Sequence, residues 1–373
     1  MMEQEPQGKP QETRTEETID GQTVSTIDGW YQGLTKNAEG EAEIHTLYKH
    51  STKTRPQSDA EPFSYLTEAS PTRITPSRAT RRVRQDKVLV DLPDIQFGYR
   101  RLPDGTLQPT HSPEAMDVAL QITKDVQPDL IILGGDELDL PELGKYPDDS
   151  RHFVDSLQLS IDGLHLFLSR LRANNPNAKI VNLDSNHVKR IGNFMLKNAF
   201  PLFGVRPANM PGDWAAISYP SLLRLDELEI EWNSGYPAVE YEINDRLTTV
   251  HGDKAVARGS TSAKYLQEIE RSLMFHHTHR EESLTKTTKS GKQVQAFSFG
   301  SLTDTTGAVP SFGNAVSDRG QVVPHQENWT NGIGIVNYRE GDHAFQQQPV
   351  RIDHTNNFEA VLNGKVYTPR EVK

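Results

Sequence analysis

Histidines 276, 277 and 279 crowd into four positions directly after the apolar run Leu273-Met274-Phe275. Imidazoles are costly at the end of a buried strand, because each ring brings a donor and an acceptor that must be satisfied. The same juxtaposition recurs along the chain. Val88–Leu92 is followed by Asp94 and Gln96, and Leu130–Leu133 runs into Gly134-Gly135-Asp136-Glu137-Leu138-Asp139. Ile180–Leu183 leads to Asp184-Ser185-Asn186-His187, and Leu247–Val250 to His251-Gly252-Asp253. Oxygen and imidazole donors of these types hold divalent ions and move protons. One acidic turn after a strand is ordinary solvated chain. A metal-competent residue after every one of these strands points to one shared site, because strand C-termini in an α/β sheet open on a common crevice. Asp94 and Gln96 are two residues apart, as are His277 and His279, so an extended chain would turn each pair to one side.

Composition narrows the chemistry. The 373 residues include no cysteine, which removes disulfides, thiolate zinc sites and cysteine nucleophiles. Any metal is therefore held by His, Asp, Glu, Asn or Gln. The net charge of −11 excludes a chain-wide basic surface, although a local basic patch could still meet nucleic acid. Hydrophobic residues make up only 35%, so part of the chain is expected to stay outside any packed core. The opening MMEQEPQGKP has no apolar segment of the signal-peptide kind, and no stretch approaches the roughly 18 apolar residues that span a bilayer. A cytoplasmic protein with no membrane partner is the expectation.

The elements that must position these donors follow from periodicity. Residues 1–23 are polar and expected to be disordered. Residues 24–50 read as a small β-hairpin built on Trp30, Tyr31 and Leu34 facing Ile44, Leu47 and Tyr48 across a turn at 37–40. Residues 51–86 read as a linker whose end carries Arg73, Arg78, Arg81, Arg82 and Arg84 without an acid: a solvated linker, or an arm that grips phosphates. From Lys87 the texture changes to buried strands at 88–92, 129–135 and 177–184, with helices over 114–126, 152–174 and from His187 to about Asn198. Short strands near 229–232, 239–242 and 246–251, a helix near 261–270 and a β-rich last third complete an α/β sandwich over 87–352. Residues 353–373 form a C-terminal tail.

Taken in order, the series DxQ, GDxxD, NH, HG and HxH resembles the calcineurin-like metallophosphoesterase superfamily, whose pattern is DxH, GDxxD, GNH[DE], H and GHxH. The likeness covers roughly residues 87–300. It implies a four-layer αββα sandwich with two divalent metal ions at the strand ends, Mn²⁺ foremost, with Mg²⁺, Zn²⁺ or Fe as other occupants. It further implies that Asp94, Gln96 and His279 hold the first ion and that Asp136 bridges both. Asn186, His251 and His277 would hold the second. His187 would be the catalytic acid or a phosphate-contacting imidazole, oriented by Asp139. Two such ions clamp a phosphoryl group and generate a hydroxide for in-line attack. Arg190, Arg280 and His276 stand close in sequence and are candidate substrate contacts.

The series departs from the family pattern at several places. Gln96 stands where the family has a ligand imidazole, which favours harder ions. Ser185 replaces a glycine, a change that matters if that turn needs positive φ. Val188 replaces an acid, and His276 replaces the glycine of GHxH. The functional expectation is a dinuclear metal-dependent phosphodiesterase or nuclease acting on nucleotide or nucleic-acid phosphodiesters, the arginine arm supplying the motive for nucleic acid. A phosphomonoesterase and a weakened metal- or nucleic-acid-binding module are the alternatives. Leu140-Pro141, where protein phosphatases of this superfamily have Arg-Gly, argues against that branch.

Overall fold

The computed structural model describes residues 11–19, 22–36, 42–56, 86–101, 106–143, 156–208, 214–256, 259–306 and 327–370. The arginine arm Arg73–Arg84, the turn expected at 37–40 and the start of the helix expected from 152 lie outside these. The chain divides into two compact units, Met1–Pro62 and Phe63–Val372.

In the first unit, β1 (Gln11–Ile19), β2 (Gln22–Lys36) and β3 (Ala42–Pro56) form an antiparallel sheet in that order. Ile19 pairs with Gln22 and Lys36 with Ala42. The hairpin expected over 24–50 is the inner part of β2 and β3. Two expectations need correction: 11–19 is a strand, and β3 extends into the segment read as linker. A polar segment too weak to fold alone can still join a hairpin, because ladder hydrogen bonds come from the backbone and three strands hold where two are marginal.

The second unit begins with β4 (Lys87–Leu92), β5 (Tyr99–Arg101), β6 (Leu107–Pro109), α1 (Pro113–Val126), β7 (Leu130–Leu133), α2 (Ser156–Asn174) and β8 (Lys179–Leu183). It continues through α3 (Lys189–Asn198), α4 (Tyr219–Leu222), β9 (Ile230–Asn233), β10 (Tyr241–Asn244), β11 (Leu247–Val250) and α5 (Thr261–Leu266). The remaining elements are β12 (Ser272–Phe275), β13 (Glu281–Thr287), β14 (Gln293–Phe299), β15 (Gly332–Tyr338), β16 (Gln346–Asp353), β17 (Glu359–Leu362) and β18 (Lys365–Tyr367). These make a mixed α/β unit with two large sheets. The eight-stranded sheet has the order β18-β17-β16-β15-β4-β7-β8-β9 and the five-stranded sheet β10-β11-β12-β14-β13. The pairs β4–β7, β7–β8 and β8–β9 are parallel, as are β11–β12 and β12–β14.

Period-two alternation explains how the sheets stack. Leu89, Ile132, Val181 and Val336 of the larger sheet share one buried cluster with Leu247, Met274 and Phe297 of the smaller. The opposite face of the larger sheet, including Val90, Ile131, Leu133 and Ile180, packs on Met116, Ala119 and Ile122 of α1 and on Leu164, Leu168 and Leu171 of α2. On the smaller sheet, Leu273, Phe275, Val294 and Ala296 pack with Tyr265 and Leu266 of α5. Strands covered on both faces must read as continuous apolar runs, which is why VLVDL and LIIL stood out. Ser112 starts α1 by accepting a hydrogen bond from the Ala115 N–H (3.2 Å), with Pro113 in the first turn.

The C-terminal boundary also needs correction. Residues beyond 352 belong to the unit: β17 and β18 extend the larger sheet, and the Arg370 Nε donates to Asp117 Oδ1 on α1 (3.0 Å). Short alternating strands at a sheet edge carry too few apolar residues to announce themselves.

Candidate metal centre

The donor clusters sit where the parallel strands end. β4, β7 and β8 are neighbours in one sheet, and β11 and β12 are neighbours in the other, so five loops converge. The backbone at the donors is not extended, as the two-apart spacing suggested. Asp94 (φ 36°), Gln96 (49°), Asp136 (54°), His277 (74°) and His279 (55°) all lie in the left-handed region. Non-glycine residues there cost of order 1–3 kcal/mol each and persist only where surroundings over-determine them. The loops do so by bonding to one another. Gln96 N–H donates to Asp136 O (2.8 Å) and Phe97 N–H to Glu137 O (2.7 Å). His277 N–H reaches both Asp94 carboxylate oxygens (3.1 Å each), and His187 N–H reaches Asp136 Oδ1 (3.0 Å). Gly135, at φ 91°, lets β7's loop pass close beneath His251: a Cβ there would lie 2.5 Å from His251 Nδ1.

The side chains gather in two adjoining groups. In one, His251 Nε2 lies 3.3 Å from Asp136 Oδ2 and 2.9 Å from Asn186 Oδ1, while its Nδ1 donates to Gly134 O (2.8 Å). Asp136, His251 and His277 each offer a ligand atom, all within 4.8 Å of one another. In the other, His279 Nε2 lies 3.5 Å from Asp94 Oδ1 and 3.2 Å from Gln96 Nε2. Sequence reasoning named every one of these residues, and the fold brings them together.

Electrostatics fits a cation site. Burial alone would raise the Asp136 carboxyl, but the His187 and His251 rings outweigh it and hold it well below the usual carboxylate range. Burial opposes charge on His251 too, yet Asp136 carries that imidazole up to about 9. His277, desolvated and beside the His251 ring, is pushed down to about 4, so it stands neutral with its nitrogen lone pair ready. Among the described residues no hydrogen bond engages the His277 ring, and His279 Nδ1 is buried without a partner. Two carboxylates, two amides and three imidazoles suit divalent ions in mixed N/O coordination.

His187 stands over this group, its Nδ1 3.3 Å from Asp139 Oδ1 and its Nε2 3.7 Å from Asp136 Oδ2. α3 begins at Lys189 instead of His187, which leaves the Asn186-His187 pair in the loop facing the cluster. The Ser185 substitution is accommodated: Ser185 is absent from the left-handed residues, and its hydroxyl accepts from Asp136 N–H (2.9 Å).

The three candidate substrate contacts fare differently. His276 is corrected: it is buried beneath the crevice, with Nδ1 donating to Val250 O (2.7 Å) and Nε2 to Asp91 Oδ1 (2.9 Å). It fills the space over Gly134, where a Cβ would meet its ring at 2.4 Å. Arg190 spends Nη1 on the carbonyls of Asp139 (2.7 Å) and Leu140 (3.2 Å), tying α3 to the loop that bears Asp139. Arg280 binds the carbonyls of Val256 (2.8 Å) and Asn328 (3.2 Å). Both arginines brace loops.

Several residues around the site went unread in the sequence. Glu137 is fully buried and accepts from Gly135 N–H (2.8 Å) and from Tyr219 Oη (3.1 Å), which also bonds Asn182 Oδ1 (2.9 Å). Burial pushes its carboxyl up to about 7. Tyr236 lies with its ring 5.8 Å from His251 and Trp329 with its ring 4.5 Å from His279. Glu137 had one available signal, an acid flanked by the two motif aspartates; the aromatics had none. No protein-family model matches the chain, and no curated protein matches it.

Proposed function

We propose that this chain is a dinuclear metal-dependent phosphodiesterase of the calcineurin-like type. The observation that carries the reading is the convergence of Asp94, Gln96 and His279 with Asn186, His251 and His277 around the Asp136 loop, under a His187–Asp139 pair. The packing of α1 and α2 on one sheet, sheet on sheet, and α5 on the other supports the four-layer αββα arrangement. Asp94, Gln96 and His279 would hold one ion, Asn186, His251 and His277 the other, and Asp136 both. Bound there, divalent ions supply Lewis-acid polarisation of a phosphoryl group and activation of water. The protein's own part is proton transfer and positioning. His187 donates a proton to the leaving oxygen as the P–O bond breaks, and the Asp139 carboxylate, 3.3 Å from its Nδ1, is placed to orient the ring. The buried Glu137–Tyr219–Asn182 network keeps the Asp136 loop in its strained conformation.

The test uses chelator-stripped protein with Mn²⁺, Mg²⁺ or Zn²⁺ on bis-p-nitrophenyl phosphate and p-nitrophenyl phosphate. Metal-dependent diester cleavage that falls about 10²–10⁴-fold in His187→Ala is the expected result. Preference for the monoester would replace the diester reading. Turnover indifferent to both metal and His187 would sink it.

A further inference from the structure

We infer that the surface running from Tyr236 along α3 to Arg206 binds single-stranded polynucleotide, as the continuation of the phosphodiester held in the crevice. The inference rests on the phosphodiesterase reading and names its substrate class. Three observations carry it. First, the segment after the Asn186-His187 loop exposes aromatic rings: Phe194 (45%), Phe200 (68%) and Phe203 (50%). Exposed large apolar groups gathered in one short segment are a common mark of a ligand or partner surface. Second, Lys189, Lys197 and Arg206 lie between Ser185 and Ala208, a stretch with no acid, in a chain of net charge −11. Third, the surface is continuous with the donor cluster. The Tyr236 ring stands 5.8 Å from His251, and Lys189 Nζ lies 5.9 Å from the Tyr236 ring centroid.

Rings interleaved with cations and leading away from a phosphodiester site match what a single strand offers, bases that stack on aromatic faces and phosphates that pair with Lys and Arg. A duplex keeps its bases stacked on each other and leaves the phenylalanines unused. A second copy of the chain would bring like charges together across the patch, which disfavours that occupant. An anionic lipid surface would cover Leu196, Leu202 and Val205 as well, but gives no role to Tyr236 beside His251.

The experiment measures fluorescence anisotropy of a labelled oligothymidylate of roughly 12 nucleotides, a length within the usual single-strand site range, with the full chain in chelator so that no cleavage occurs. Phe200→Ala/Phe203→Ala and Lys197→Glu/Arg206→Glu run beside it, each checked for unchanged turnover of bis-p-nitrophenyl phosphate with metal restored. The aromatic pair should weaken binding about tenfold or more. The charge pair should lower the slope of log affinity against log salt by about 1.4, two phosphate contacts' worth on a single strand. Wild-type protein that binds no oligonucleotide, or variants that bind like wild type, overturns the inference. Binding to phosphatidylcholine–phosphatidylglycerol vesicles without oligonucleotide binding overturns it in favour of a lipid surface. Oligonucleotide binding that follows the variants in a protein with no diester turnover supports this surface while removing the proposed activity.

Discussion

At Asp139 a single carboxylate stands beside the Nδ1 edge of the His187 ring. Its Oδ1 is 3.3 Å from His187 Nδ1. Asp139→Asn keeps a polar group beside the ring but removes the carboxylate charge. It should lower kcat on bis-p-nitrophenyl phosphate about 10–100-fold with KM nearly unchanged, the usual cost of losing an outer partner. A matched rise in KM instead would show that Asp139 shapes binding. The ligand types were legible in the sequence because Asp94, Asp136, Asn186, His251, His277 and His279 each follow an apolar run, and strand ends are forced together by the sheet. His276 was misread for a physical reason. Whether a ring at a strand end turns into the crevice or back into the core depends on what lies beneath, here Asp91 on β4. Arg190 and Arg280 show the same ambiguity, since a long side chain beside a site can brace neighbouring carbonyls.

At the scale of elements, glycines test which loops are tight. Gly135→Ala adds a Cβ 2.5 Å from His251 Nδ1 at φ 91°, so both sterics and backbone resist it. It should destabilise the fold by at least about 1–3 kcal/mol and lower metal affinity together with Tm. Gly192→Ala, in α3, meets no atom within 4 Å. It should stabilise by roughly 0.5–1 kcal/mol through helix propensity, and thermal unfolding of the two variants side by side checks both signs. Helices and buried strands were readable because 3.6- and two-residue periods survive in single sequences. β1 and the pair β17–β18 were not, because edge pairing rests on backbone bonds that leave little mark on side-chain choice.

For the whole molecule, burial of a neutral imidazole contributes to the response to acid. His111 is fully buried, stacked on Phe97 (3.7 Å between centroids), and burial pushes its imidazole down to about 3. The unfolded chain therefore binds a proton there at higher pH than the native one. The stability contributed is complete above about 6.5, the model-peptide value, and is lost as pH falls from there toward 3. Chemical unfolding across that window should show proton uptake on unfolding, and His111→Gln should diminish the slope. An unchanged slope in the variant would assign the acid sensitivity to other groups.

The position of β15 bears on when a working site can first exist. β4, the first strand of its unit, pairs with β15 on one side and β7 on the other, so the unit's earliest strand waits for one made 245 residues later, counting from Val90 to its partner Ile335. His279 emerges from the ribosome before Gly332 does. A growing chain thus carries every donor while the middle of its larger sheet is still open. The larger sheet, and with it the full support beneath the β4 and β7 loops, is complete only once β15 has been made and has paired with β4.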